Sequence, residues 1–439
     1  MSTIAENLLA LQQAKNDIKS AIESKGQDLT DVPFTEYGNK IGEMSASENL
    51  DTELGEQDAL LAELESQVNE LSDKPMDKLQ WKCDNLKNLR YEFENCEVES
   101  VDEVLAGLDT SQVTDMSDMF KNATGLTSLD LSKLDTSNVT HMTEFLYCSS
   151  GTPNLTELDF SGLKLSNVIG MSYLLNGQTK LLSVNFNGVD LSSVKVMNAM
   201  FTACKALTNI NMDNVKFGSL TATSSMYKDC RNIERVPLID VSQVTNPSSM
   251  HYANYKLKEA PAYDFSSATT LDSLFGNCYA LEILPEEYNT KNCKNFNAVF
   301  YGCNVMTTPP KMDLRLATKV TNMFNSCYAL TNLNLKNIPM SLQIGSGTSW
   351  GHLLTLDSLL NTIKELWNKT GSTTQTLTVG TANLEKLANV YVKLVDITDK
   401  MRAEDEYIDN KLPFVQCEST DEGAMLISEY VTSKNWQLA

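Results

Sequence analysis

The chain repeats itself, and that repetition limits its possible folds more than any other feature. Residues 109–146 read DTSQVTDMSDMFKNATGLTSLDLSKLDTSNVTHMTEFL and contain one unit twice, beginning at Asp109 and again at Asp135. The unit then recurs with drift. Its marker is a large side chain followed by a small or thiol one: Phe120, Leu146, Leu175, Phe201, Tyr227, His251, Phe275, Phe300 and Phe324. The intervals along the sequence are 26, 29, 26, 26, 24, 24, 25 and 24. A period in the twenties specifies a solenoid, in which each unit closes its apolar side only by stacking on its neighbours.

Each unit has two apolar parts. Met119 and Phe120 follow Met116 by three and four residues, which predicts one face of a short helix. Leu129-Asp130-Leu131 and Ile210-Asn211-Met212 alternate, which predicts a short strand. Thr, Ser, Asn and Asp lie between, and Asp109, Asp135 and Asp190 fit as turn caps. Five units place a cysteine three residues after the marker: Cys204, Cys230, Cys278, Cys303 and Cys327. Cys148 falls one residue early, and Asn254 takes the place in the unit of His251. A stacked thiol is a small buried hydrophobe, and no CxxC pair or His/Cys cluster is present to close a metal site. These cysteines are therefore expected to be buried, reduced and unligated. No metal and no cofactor is expected.

The units DTSNVTHMTEFLYC, VMNAMFTACKALTNINM and VTNMFNSCYALTNLNL resemble the BspA-type leucine-rich repeat, whose pattern is NVTNM-x-x-MF-x-x-C-x-x-L-x-x-L-x-L. The resemblance covers about residues 84–340 and is faint around 247–263. It implies a curved solenoid used for binding, in adhesins, surface proteins and phage structural proteins. The expected fold class is an α/β repeat solenoid, leucine-rich-repeat-like, of about nine units at the intervals given above. An N-terminal helical and coiled-coil section and an α/β C-terminal cap would flank it.

Four segments are expected: 1–44, 45–75, 76–345 and 346–439. In the first, Ile4, Leu8, Leu11, Ile18 and Ile22 form a helical stripe. This segment resembles the N-termini of phage tail, baseplate and fibre proteins, which implies attachment to other virion proteins. In the second, Leu50, Leu54, Gln57, Leu61, Leu64, Val68 and Leu71 alternate at four and three, a heptad seam. The seam either self-associates or packs on the first helix, and its composition does not choose dimer over trimer. The fibre resemblance implies a homotrimer. Leu79, Trp81, Leu86, Leu89, Tyr91, Phe93, Val98, Val101, Val104 and Leu105 would cap the solenoid. After it, a helix is expected from Leu356 to Trp367, a strand over residues 374–380, a helix in TANLEKLANVYVKL, and a helix then a strand in ISEYVTSKNWQLA. These helix–strand units resemble closing units in prophage proteins, and residues 396–423 form an acidic insertion that could serve as a tip.

The search for chemistry is brief. His141, His251 and His352 are the only histidines and stand in no metal or nucleophile motif. No P-loop, GxGxxG or GxSxG appears, so the expectation is a protein that is not an enzyme. A net charge of −22 argues against nucleic acid, since phosphates need a basic face. No run reaches the length of a membrane span, and no membrane insertion is expected. Surface for binding is what remains. Tyr147, Tyr173, Tyr227, Tyr252, Tyr279, Tyr301 and Tyr328 fall at or near the marker or thiol position. With Trp350 they are the candidate ligand-binding residues, for host-surface carbohydrate or protein. Some would instead replace Phe in the core, and Tyr279 and Tyr328 are the two expected outside. The functional expectation is a phage structural protein: a fibre, tail or baseplate component of the virion, made in the host cytoplasm and released by lysis. A bacterial adhesin and an intracellular interaction scaffold are the alternatives. The absence of a signal peptide favours the first.

Overall fold

The computed structural model describes residues 75–343, 354–366, 374–378, 381–394, 405, 411, 414–421 and 424–438. The stripe from Ile4 to Ile22, the seam from Leu50 to Leu71, Trp350 and Trp367 lie outside them, as does most of the acidic insertion.

Two compact units divide the chain. The first comprises 1–88 and 106–113, the second 89–105 and 114–439. In the first, helix α1 (Pro75–Asn85) opens on a proline, whose fixed φ suits a first helical position. Gln80 clamps the backbone of Asp109 twice: its Nε2 donates to the Asp109 carbonyl at 3.2 Å, and its Oε1 accepts from the Asp109 N–H at 2.7 Å.

The second unit is a β-solenoid. Seven parallel bridges join successive turns along one column: Asp115 to His141, His141 to Gly170, Gly170 to Val196, Val196 to Ala222, Ala222 to Asn246, Thr270 to Asn295 and Asn295 to Lys319. Between Asn246 and Thr270 the Thr269 N–H, donating to the Thr245 carbonyl at 2.9 Å, carries the connection. Longer pairing is local. The strands are β1 (Glu157–Asp159), β2 (Ser183–Asn185), β3 (Asp190–Leu191), β4 (Asn209–Asn211) and β5 (Lys216–Phe217). β1, β2 and β4 form a parallel sheet with Leu158, Val184 and Ile210 in register, and β3 pairs with β5. These three side chains are buried, as the alternation predicts. Further along, β6 (Met312–Asp313) pairs with β7 (Leu335–Lys336).

The expected helix in each unit is absent from the described repeats, which corrects the α/β fold class to a β-solenoid. Met116, Met119 and Phe120 are all buried, but on a chain of successive turns. The residue two before each marker is left-handed: Asp118, Glu144, Tyr173, Ala199, Ser225, Ser249, Ser273, Ala298 and Asn322 all have φ between 52° and 58°. A left-handed residue in every unit breaks an α-helix. It also turns alternate amides outward along the stack. The N–H groups of Met116, Asp118, Phe120 and Asn122 donate to His141, Thr143, Phe145 and Tyr147 of the next turn, at 2.8–3.0 Å. The amides between them close local turns instead, as Lys121 does onto the Asp118 carbonyl. The strand expected at Leu129–Leu131 is also missing. Leu131 begins a three-residue 3-10 helix, capped by Asp130.

The acidic turn caps are as expected. Asp109, Asp135 and Asp190 each accept the N–H of the residue two ahead (Ser111, Ser137 and Ser192) at 2.9–3.0 Å. At the N-terminal edge Leu89, Phe93, Val101 and Leu105 are buried, whereas Tyr91 and Val98 are exposed and do not belong to the first layer.

After the repeats come β8 (Leu342–Gln343), α2 (Leu356–Lys364), β9 (Gln375–Thr378), α3 (Thr381–Leu387), β10 (Tyr391–Leu394), β11 (Phe414–Cys417), β12 (Met425–Leu426), α4 (Ile427–Ser433) and β13 (Trp436–Leu438). They make two small sheets, ordered β13-β9-β8 and β11-β10-β12. The helix expected through TANLEKLANVYVKL stops at Leu387. Its last four residues are strand, in keeping with their β-branched and aromatic content.

Candidate binding surface

The markers build the inside of the solenoid. Phe201, Tyr227, His251, Phe275, Phe300 and Phe324 form one stack, with neighbouring ring centroids 5.1–6.0 Å apart and planes within 11°. Aromatic pairs of this kind contribute about 0.5–1.5 kcal/mol each beyond the area they bury. The rings come into line because identical positions in successive turns must superpose.

The thiols do more than fill space. Each donates to the carbonyl of the marker one turn back: Cys204 to Leu175, Cys230 to Phe201, Cys278 to His251, Cys303 to Phe275 and Cys327 to Phe300, at 3.0–3.3 Å. Gln178 occupies the same place and donates its amide to the Leu146 carbonyl at 2.5 Å. All five cysteines are buried and outside any disulfide. Burial pushes their thiols up, to about 12 for Cys204 and Cys327. A neutral S–H is the form that donates, so the chemistry suits the place.

One pair of turns breaks the pattern. His251 sits in the stack, and burial holds its imidazole down at about 3. Its Nε2 lies 3.2 Å from the Tyr263 hydroxyl. Its Nδ1, the Tyr227 hydroxyl and the Asn254 Nδ2 are buried without a partner. This defect coincides with the stretch where the repeat is faintest in sequence.

The tyrosines divide. Tyr227 is fully buried, which removes it from the candidate ligand-binding residues. It replaces Phe in the stack because its marker position points inward in every turn. Tyr173, Tyr279 and Tyr328 are 40%, 40% and 48% exposed, while Tyr147, Tyr252 and Tyr301 are half-buried. Tyr147 and Tyr173 meet edge to face at 6.2 Å. Tyr279 stacks instead on Tyr255, at 4.9 Å and 13°. Tyr255 lies four residues past its marker, as Tyr279 and Tyr328 do, but it follows Asn254 where they follow a thiol, and the sequence reading omitted it. Rings that cover one another's faces leave edges and hydroxyls to solvent.

Several neighbours hold this row, and sequence reasoning missed them. Lys121, Lys228 and Arg231 lie over Tyr147, Tyr252 and Tyr255 at 5.4, 5.6 and 5.3 Å from the ring centroids. Such contacts contribute about 0.5–1 kcal/mol at exposed sites. Lys121 also bridges Asp118 at 2.9 Å and Glu144 at 2.7 Å. Burial opposes its charge, but these two hydrogen bonds prevail and hold the ammonium above its usual range. Asn277 donates to the Tyr252 hydroxyl at 3.1 Å, and a Cβ on Gly276 would come within 2.8 Å of the Tyr252 ring. The glycine is therefore what lets the ring lie down.

Among the described residues no group of three or more His, Cys, Asp or Glu could hold a metal, and no helix is long and apolar enough to cross a membrane. No match was found among curated proteins or solved structures. One family model does match, three times, over residues 62–160, 147–260 and 221–338. Its description is "Mycoplasma protein of unknown function, DUF285", a family associated with BspA-like repeats. The three matches together span more than half of the chain, which belongs to the DUF285 family.

Proposed function

We propose that this chain is a non-enzymatic binding protein whose solenoid presents a row of tyrosine edges to a host-surface carbohydrate or protein. The observation that carries the reading is the exterior row itself: Tyr252, Tyr255 and Tyr279 held in place by Lys228, Arg231, Asn277 and Gly276. Stacked rings with outward hydroxyls suit hydrogen bonding to a polar ligand, and ordered side chains lose little entropy on binding. Its setting, in this proposal, is a phage fibre, tail or baseplate component in the virion. Ile4, Leu8, Leu11, Ile18 and Ile22 would attach it to other virion proteins, and the seam from Leu50 to Leu71 would make it a trimer. The resemblance of the N-terminal segment to such proteins supports this setting.

Pull-down of the full chain on host cell walls tests the reading, comparing the native sequence with a Tyr279→Ser/Tyr328→Ser double variant. Loss of at least tenfold in bound protein is expected. Equal retention by the double variant would sink the tyrosine row. A monomer by light scattering, unchanged by removing residues 1–75, would sink the trimer.

The family description names a cellular organism, which favours a second reading: a bacterial surface or secreted adhesin. Immunogold labelling separates the two. Label on particles supports the virion, label on the cell envelope the adhesin.

A further inference from the structure

The solenoid opens on one face. In successive turns the Phe160 N–H donates to the Asn185 carbonyl, and the Phe186 N–H to the Asn211 carbonyl, both at 2.7 Å. Met212 is next in this column, and its N–H meets no acceptor in the following turn among the described residues. Backbone bonds on this face resume where the Lys258 N–H donates to the Glu234 carbonyl at 3.0 Å and the Ala260 N–H to the Ile283 carbonyl at 2.9 Å, so the break lies between the turn of β4 and the turn of Glu234. The sheet of β1, β2 and β4 likewise ends at β4. Proline explains part of the break. Pro237, Pro261, Pro285 and Pro309 recur at one constant interval and bring no N–H to a ladder. The bridges Val196 to Ala222 and Ala222 to Asn246 stay intact, so the turns keep register along one column and part along another.

A depression of about 500 Å³ fills the gap. Ile210, Met212 and Asp213 line it on one side, and Arg235, Val236 and Leu238 on the other. It adjoins a second depression of about 440 Å³ that reaches Pro261, Ile283 and Pro285. Leu238 stands between the two, 64% exposed, the most exposed large apolar side chain among the described residues.

We propose that this opening binds an extended peptide segment of a partner protein, which adds its main chain to the free edge of β4. Three observations specify that occupant. The β4 edge is unpaired, and an extended backbone is what completes a ladder of main-chain groups. Leu238 and Ile283 offer apolar surface for alternate side chains. Glu234 is paired with Lys258 at 2.8 Å and Glu259 with Arg235 at 3.2 Å, whereas Asp213 has no ion-pair partner among the described residues. The segment therefore carries an apolar residue flanked by a basic one. The volume matches a small ligand site, enough for a few residues. This site is independent of the tyrosine row.

The experiment uses the full chain and a capped, fluorescein-labelled heptapeptide of alternating valine and lysine, read by anisotropy. Saturable binding is expected. Leu238→Asp should weaken it at least tenfold and Asp213→Asn about threefold, while Ile169→Asp on an exposed position elsewhere leaves it unchanged. The same peptide N-methylated at alternate residues keeps its charge but cannot pair, and it should not bind. Equal binding of the methylated peptide, or an unchanged affinity with Leu238→Asp, overturns the proposal. Should Leu238→Asp fail to fold, hydrogen exchange on the unaltered chain decides. The peptide should slow the amides of Ile210 and Met212, and no slowing overturns the site. Self-association of the native chain that Leu238→Asp abolishes would assign the opening to a second copy and overturn the partner peptide.

Discussion

The Cys278 thiol donates to the carbonyl of His251 one turn back, at 3.1 Å, and the same relation recurs in four other turns. Replacing Cys278 by Ala removes both the donor and the packing of one sulfur, and should cost on the order of 1–2 kcal/mol. Chemical denaturation measures it. Iodoacetamide at pH 8 should leave all five thiols unmodified until the chain unfolds, because burial pushes their pKa values up. Rapid labelling of native protein would contradict this.

His251 gives the fold a pH dependence. The unfolded imidazole titrates near 6.5, and the folded one at about 3. Between those values the unfolded state binds the extra proton, so stability is full above about 6.5 and declines as pH falls through this window. The slope is at most about 1.4 kcal/mol per pH unit. His251→Phe should stack between Tyr227 and Phe275 and flatten that part of the curve. Urea melts from pH 7 to 4 compare the two. Parallel curves would mean that His251 is not the titrating group.

Gly177 and Gly162 should differ sharply in their response to the same change. A Cβ at Gly177 would lie 1.9 Å from the Cys148 carbonyl oxygen, at φ +83°, whereas one at Gly162 meets nothing within 4 Å. Gly177→Ala should destabilise by at least about 2 kcal/mol, and Gly162→Ala by less than about 0.5. Thermal melts of the two variants make the comparison.

Gly276→Ala should act on the exterior row with a small effect on the core. Its Cβ would press the Tyr252 ring at 2.8 Å, displacing the hydroxyl that accepts from Asn277. A stability loss of about 1 kcal/mol is expected, with a larger proportional loss of cell-wall binding. Binding unchanged alongside a lower melting temperature would separate the row from recognition.

The period, the inward markers, the thiols and the aspartate turn caps were all legible in the residues, because each is a recurring choice of side chain. The backbone was less so. The spacing of three and four from Met116 to Met119 and Phe120 imitates a helical face. The residues that break the helix, among them Glu144, Tyr173 and Ala199, carry no mark of a left-handed conformation. Tyr227 reads both as a marker and as a candidate for the surface, because its ring and hydroxyl fit either place. Tyr255 was overlooked because Asn254 replaces the thiol that marks the same place before Tyr279 and Tyr328. The opening beside β4 depends on what fails to pair, and its only trace in the sequence is the regular recurrence of Pro237, Pro261, Pro285 and Pro309.

The alternate amides of the marker segments and of the turn before them all donate forward, from Leu89 to Asp115 at one end through to Gly302 and Asn325 at the other. Ordinary sheets cancel their peptide dipoles by alternation. Here the donors of these segments share one direction, turn after turn, with each peptide contributing about 3.5 D. The marker column is thus polarised along its length, as a helix is. Its carbonyl end, beside Arg90, is the negative pole, and its N–H end, at Asn322, Phe324 and Ser326, is the positive one.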